Sequence, residues 1–350
     1  MKQFVKSAHF LILLLTYQFN LYAQTPKINQ IDSLMKWSHK NGVFNGNVLV
    51  SQNDKIIYKS SFGFADETKT KNLTAKHKFN IGSITKEFSA VALLQLQEQG
   101  KLNLEDKVSK FLPELPIWAN EVTINHLLQY TSGIPNVNWK KIKNNEDLYN
   151  GLKLIDTLNF KSGTKYDYNN NNIFLRQFII ERLTGIPFKM YAEDFLFKPN
   201  KMHSSVLTPF ENVKNIAKGY NNNLIPDKID LPITGGTYLT SIDLLRWSNN
   251  LHAKKIINNE SVYKIGQQFD FKETQSALGN AKYQDKRLVE HKHHGRAGSY
   301  EAILVSSIDE EITIILLTNN YNGKVHELSD KIFKILRDKK YAQPNKKIQK

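Results

Sequence analysis

Strand signals stand at both ends of the chain with a long helical stretch between them, which limits the fold more than any other feature. Near the start, Asn47-Val-Leu-Val-Ser51 and Lys55-Ile-Ile-Tyr58 flank the turn residues Asn53-Asp54, a hairpin signal. Near the end, Ala302-Ile-Leu-Val-Ser306 and Glu311-Ile-Thr-Ile-Ile-Leu-Leu317 flank the polar turn Asp309-Glu310. Outside these pairs lie two amphipathic helices. The first runs from Ile28 to His39, with Ile28, Ile31, Leu34, Met35 and Ser38 on one stripe and Gly42 as its stop; the second runs from Val325 to Arg337. Between the pairs, the helical stretches Ile124–Tyr130, Ile173–Thr184, Met190–Leu196 and Ser241–Leu251 alternate with Asn-, Gly- and Lys-rich loops. The expected fold is α+β, an α/β sandwich. One antiparallel sheet is built from about 24–82 and 286–338, flanked by the terminal helices, with a mostly helical insert at about 101–285. No internal repeat is visible.

Composition removes several classes of chemistry. The 350 residues contain no cysteine, which excludes a disulfide framework, a thiol nucleophile, thiolate zinc sites and iron–sulfur clusters. Residues 1–23 carry Lys2 and Lys6, no acid, and an apolar run from Phe10 to Thr16 that is too short to span a bilayer of about 30 Å. Ala23 supplies the small residue that a signal peptidase requires, so the segment reads as a cleaved export signal, with a retained membrane anchor as the competing reading. No cysteine follows it, which excludes lipoprotein attachment. The formal charge of +15 becomes +13 on cleavage, with 46 basic against 33 acidic residues. These charges are scattered as mixed-sign pairs, apart from the basic tail at 339–350, which is expected to be disordered. With no aromatic–basic module in view, the charge points to envelope polyanions rather than nucleic acid. The protein is expected to be periplasmic or secreted, without stable membrane insertion.

Ser83-Ile-Thr-Lys86 places a hydroxyl and an amine three residues apart at the threshold of Ser83–Gln99, a segment apolar on nearly every face. On a helix the two side chains share a face, with about 5–6 Å between Cβ atoms. A serine becomes a nucleophile beside a base, and a lysine desolvated in a core has its pKa lowered enough to be that base. The same spacing occurs at Ser33/Lys36, Ser162/Lys165 and Ser261/Lys264. Only Ser83 follows a glycine, Gly82, that permits a tight turn and close approach of a ligand. The competing reading is that Ser83 merely caps the helix.

Phe79-Asn-Ile-Gly-Ser-Ile-Thr-Lys86, followed by Leu93-Leu-Gln-Leu96 and Gly100-Lys-Leu-Asn-Leu104, resembles the serine hydrolases related to class C β-lactamases and DD-peptidases. The likeness extends over Asn45–Val50, Phe62–Asp66, Leu112-Pro113, Leu127–Pro135, Gly235-Gly236 with Asp243-Leu244 and Trp247, and Leu316–Asn320. It spans about residues 28 to 335 in the family's order and implies a β-lactamase/transpeptidase-like fold. Ser162-Gly-Thr-Lys-Tyr-Asp-Tyr-Asn-Asn170 resembles the family's second element, so the resemblance puts Tyr168 and Asn170 in the site. Beside cationic amines the Tyr168 phenolate is expected to be favoured, and Asn170 to orient the lysine and the substrate carbonyl. Tyr220-Asn221-Asn222 has the same spacing without the preceding Gly-Thr turn. Tyr130 stands where the family usually has histidine, a departure expected to matter little.

The third element, Lys-Thr-Gly in the β-lactamases, is absent before the C-terminal strands. His293-His294-Gly295-Arg296 stands there and resembles the family's His-x-Gly variant. The resemblance implies His293 beside Tyr168, the backbone N–H groups of Ser83 and Arg296 as the oxyanion hole, and Gly295 and Arg296 against the substrate. Histidine replaces a permanent cation here, which puts β-lactam turnover in doubt. Arg296 is expected to supply the missing charge for a substrate carboxylate. A metal cluster of His291, His293 and His294, with Glu290 as the one acid near, is the competing reading of these histidines.

The expected function is an exported serine hydrolase that cleaves an amide or ester in a small molecule or peptide, a cell-wall peptide among the candidates, through a Ser83 acyl-enzyme. It is expected to need no cofactor and no metal. A DD-peptidase or esterase type fits better than a β-lactamase proper. A catalytically silent cell-wall binding or penicillin-sensing protein is the alternative from another class.

Overall fold

Asn53 and Asp54 both adopt left-handed backbone (φ 51° and 57°), as the tight turn of a two-residue hairpin demands, and Asn and Asp tolerate this conformation better than most residues. They join β1 (Gly46–Gln52) to β2 (Lys55–Phe62), which follow a first helix, α1 (26–40). The computed structural model describes residues 26–207, 213–227, 236–270 and 274–344. The expected export signal and the end of the basic tail from 345 lie outside the described residues. A short strand, β3 (Phe79–Asn80), leads into the 3-10 turn Gly82–Thr85 and then into α2 (Lys86–Glu98).

The middle of the chain contributes α3 (Val108–Phe111), α4 (Ile124–Leu128), α5 (Asn145–Lys153), α6 (Asn170–Thr184) and α7 (Phe188–Tyr191), which runs on into a wider turn at Ala192–Phe197. Two short strands, β4 (Val206–Leu207) and β5 (Thr237–Leu239), precede α8 (Ser241–His252) and α9 (Asn259–Ile265). Local chemistry sets the boundaries. Thr123, Asn144, Asn169, Thr240 and Asn258 each cap a helix by accepting from a first-turn N–H, and Gly185 (φ 70°) stops α6.

The chain closes with β6 (Asn280–Gln284), β7 (Arg287–Ala297), β8 (Tyr300–Ser307), β9 (Ile312–Thr318) and α10 (Val325–Leu336). The large sheet has the order β2-β1-β9-β8-β7-β6, all antiparallel, so the two ends of the chain meet at the β1–β9 pair. β6 carries a polar, half-exposed sequence and lies inside the stretch read as helical, so the sheet begins a few residues before 286. A second sheet, β3-β5-β4, takes two of its strands, β4 and β5, from that stretch.

Both faces of the large sheet are covered, which is why its inner strands read as continuous apolar runs rather than alternating ones. Val48, Val50, Ile303, Ile314 and Leu316 meet Ile31 and Leu34 of α1 and Leu328 and Ile332 of α10. Leu49, Ala302, Leu304, Ile315 and Leu317 face the helical part of the molecule. There α2 is the central element. Phe88, Val91, Leu93, Leu94 and Leu96 are each at most 1% exposed, and each such side chain contributes about 1.5–3 kcal/mol on burial. Among the described residues, no helix is long and apolar enough to cross a membrane.

Candidate active site

Ser83 lies in the 3-10 turn, not in the α-helix expected there; α2 begins only at Lys86. The tightening has a visible cause. Gly82 takes φ 52°, and a Cβ on it would lie 2.3 Å from the backbone N of Arg296. Gly295 is equally constrained, since its Cβ would lie 1.9 Å from the Ile81 carbonyl oxygen and 2.8 Å from the Ser83 N. Two glycines thus allow β7 to press against the Ser83 turn, backbone against backbone. Residues i and i+3 eclipse in a 3-10 turn, so Ser83 and Lys86 still share a side.

Lys86 Nζ is 3.0 Å from Ser83 Oγ, and Tyr168 OH donates to the same oxygen at 2.9 Å. The Lys86 Nζ also sits 5.1 Å from the centre of the Tyr168 ring. Ser83 makes no side-chain cap, so its hydroxyl serves this cluster rather than the helix end. Lys86 is buried in the core, and burial lowers its pKa from 10.5 to about 8; the nearby Arg176 pushes in the same direction, against Tyr130. An amine that loses its proton near neutrality beside a serine hydroxyl can accept that hydroxyl's proton.

The backbone N atoms of Ser83 and Arg296 are brought together by the Gly82 and Gly295 contacts, the arrangement that a pair of oxyanion donors needs. The face of β7 that carries Gly295 also carries His293 and His291, two and four residues back along the strand. Asn170 opens α6 two residues after Tyr168, and its side-chain Oδ1 is buried with no hydrogen-bond partner among the described residues. The competing sequence matches fall elsewhere. Lys36 pairs with Asp32, Ser162 bonds the Ser132 carbonyl, Ser261 lies in the first turn of α9, and Tyr220 pairs with Asn319.

A β-lactamase family model matches residues 29–337. The chain belongs to the β-lactamase family. Penicillin-binding protein 4* of Bacillus subtilis is 28% identical over 323 residues, 81% of this chain and 70% of that protein. In fold the chain is similar to a penicillin-binding protein from Bacillus halodurans (TM-score 0.76, 23% identity, covering 87% of this chain and 98% of that one). It is likewise similar to a class C β-lactamase (TM-score 0.75, 22% identity, 91% and 98%). The fold is therefore the β-lactamase/transpeptidase-like one, with its antiparallel sheet and helices.

Within this β-lactamase-family frame, several expectations need correcting. Tyr168 is not held as a phenolate: burial raises its pKa, and this outweighs the hydrogen bond to Ser83 and the charge of Arg176. The Arg296 guanidinium does not turn toward the Ser83 face. It stacks on Tyr321 at 3.8 Å from the ring centre, because residues 294 and 296 alternate to the side of β7 away from 293 and 295. His294 points to that same other side and bonds Glu301, and Glu290 pairs with Lys282, so neither joins His291 and His293.

The acid that does join them is Glu87, which the sequence reading passed over. Glu87 Oε1 lies 2.6 Å from His293 Nδ1 and 3.0 Å from His291 Nε2, while Trp247 Nε1 donates to Oε2 at 2.7 Å. Burial would raise the Glu87 pKa, but the charge and hydrogen bonds of His291 and His293 hold it well below the usual carboxylate range. The cluster around Ser83 also has a back wall, built of Tyr130 and Arg176. The Tyr130 ring lies 4.8 Å from that of Tyr168, and the Arg176 guanidinium 5.6 Å from that of Tyr130. Arg176 is fully buried, and none of its three side-chain nitrogens has a hydrogen-bond partner among the described residues. The one available signal was an arginine in the largely apolar run Ile173–Ile180.

Proposed function

We propose that this protein is an exported serine hydrolase that opens an amide or ester bond through an acyl-enzyme on Ser83, of the DD-peptidase or esterase type. The observation that carries this reading is the placement of one hydroxyl, Ser83, between a buried amine at 3.0 Å and a phenol at 2.9 Å. Neutral Lys86 takes the Ser83 proton as Oγ adds to the substrate carbonyl. The negative charge that develops on the carbonyl oxygen is met by the N–H groups of Ser83 and Arg296; two such fixed donors contribute several kcal/mol. Tyr168, a phenol in the resting site, passes its proton to the leaving amine or alcohol and is re-protonated from Lys86. Water then adds to the acyl-enzyme with the same pair accepting its proton, and Ser83 leaves as the alcohol.

His293 in place of the family's lysine supports a peptidase or esterase over a β-lactamase proper, since burial lowers its pKa and leaves it uncharged near neutrality. A silent binding role on the same fold is disfavoured by the intact Ser83–Lys86–Tyr168 contacts. Ser83→Ala tests the reading. The wild type should be labelled covalently by a fluorophosphonate and should hydrolyse p-nitrophenyl acetate, and the variant should do neither. Labelling that survives the substitution sinks it.

A further inference from the structure

The acyl-transfer steps leave a buried chain of polar side chains unused. His252 Nε2 lies 3.0 Å from His291 Nδ1, His291 Nε2 lies 3.0 Å from Glu87 Oε1, and that oxygen lies 2.6 Å from His293 Nδ1. His291, Glu87 and His293 are at most 3% exposed, and the far end, His252, reaches a surface hollow lined by Asn249, Ser306 and Thr313. An ionised carboxylate can only accept. Glu87 Oε1 faces both His291 Nε2 and His293 Nδ1, so each of those nitrogens must carry a hydrogen. His291 Nδ1 and His252 Nε2 share one further hydrogen bond, in which one nitrogen donates and the other accepts. His293, with its hydrogen on Nδ1, has a lone pair on Nε2, which has no partner among the described residues. That ring belongs to the face of β7 whose next member, Gly295, touches the Ser83 turn.

We propose that Glu87, steadied by His291 and Trp247, is a positioning residue that holds His293 in the Nδ1–H tautomer and so presents a hydrogen-bond acceptor, Nε2, to the catalytic pocket. An acceptor there repels a substrate carboxylate and welcomes an N–H, O–H or ammonium group, the reverse of what a lysine would select. The site is thus one for amides or esters whose acyl part carries a donor near β7. The Nδ1 hydrogen stands on the hydrogen-bond geometry, and the bare Nε2 on that geometry together with the burial that lowers the ring's pKa; the consequence for substrate choice rests on the acyl-transfer reading above. A metal held by Glu87, His291 and His293 fits less well. Ligands around a tetrahedral zinc at about 2.0–2.2 Å stand about 3.3 Å apart, whereas these atoms sit at hydrogen-bond distances of 2.6 and 3.0 Å.

The test is nitrogen-15 NMR of the histidine-labelled protein near neutral pH, with His293 assigned through His293→Asn. The expected spectrum shows His293 protonated at Nδ1 and bare at Nε2, and Glu87→Gln should mix the two tautomers. In parallel, kcat/KM is compared for p-nitrophenyl esters of D-alanine and of succinic acid. The wild type should prefer the amine-bearing ester by about tenfold or more, and Glu87→Gln should erase most of that preference. The inference is overturned by an Nε2–H tautomer in the wild type, by a Glu87→Gln spectrum identical to it, or by a stoichiometric metal whose removal moves both rings. Should Glu87→Gln fail to fold, the wild-type spectrum alone decides the tautomer. Should the wild type hydrolyse neither ester and resist the fluorophosphonate, the acyl-transfer reading falls, and the spectrum still decides the role of Glu87.

Discussion

Replacing Lys86 by methionine should make the protein more stable and inactive at once. A lysine that titrates near 8 instead of 10.5 carries its ammonium form in the folded state at a cost of about 3 kcal/mol relative to the unfolded chain. The cost is fully present below about pH 8, where the side chain is charged in both states. Between 8 and 10.5 the folded protein has released this proton and the unfolded chain has not, so stability rises with pH across that window. Above it the penalty is gone. Methionine keeps the unbranched stem and removes the charge; the lost contact to Ser83 returns part of the gain, about 1 kcal/mol. Urea unfolding of the two proteins should therefore show Lys86→Met ahead by about 2 kcal/mol near pH 7 and behind the wild type by up to about 1 kcal/mol at and above pH 10.5. Fluorophosphonate labelling of Ser83 should fall by about 10²–10⁴-fold. A variant that is less stable at neutral pH, or a difference that does not change with pH, refutes the claim that Lys86 is a desolvated base.

Gly82→Ala puts a side chain into a left-handed backbone and within 2.3 Å of the Arg296 N; it should cost about 1–2 kcal/mol or more and slow acylation about 10²–10³-fold by spreading the two amides, read by denaturation and by labelling rate. Arg176→Met removes a buried cation that helps hold the Lys86 pKa down, so the acid limb of kcat/KM, which rises toward about 8 in the wild type, should move to higher pH. The same variant should be no less stable, because among the described residues the buried guanidinium has no well-formed hydrogen bond to lose, only its place over the Tyr130 ring. Arg296→Ala should leave the preference between carboxylate-bearing and neutral esters unchanged, since that side chain rests on Tyr321; a shift in the ratio would return the side chain to the substrate site.

Much of the site was legible in the chain because its parts lie in local motifs. Ser83 and Lys86 sit within one turn, and Tyr168 follows a recognisable Gly-Thr loop. The expected strands and helices around them appear within a few residues, since their boundaries are set by caps and turn residues such as Asn53-Asp54 and Gly185. The misses share a cause. Glu87 is one residue past the lysine and looks like an ordinary first-turn acid, yet its partners are 160, 204 and 206 residues away in sequence. Arg176 and Tyr130 likewise belong to different segments that meet only behind Tyr168.

By itself, then, the amino-acid order determined which elements form, that the two ends share one sheet, and which hydroxyl has a lysine one turn away. Tertiary structure decided the rest. It stacked Arg296 on Tyr321, joined Glu87 to His291 and His293, and set protonation states that no spacing encodes. Periodicity, caps and turns act over a few residues, whereas burial and charge depend on every segment packed around a group. The pKa of Lys86 is a property of the folded core.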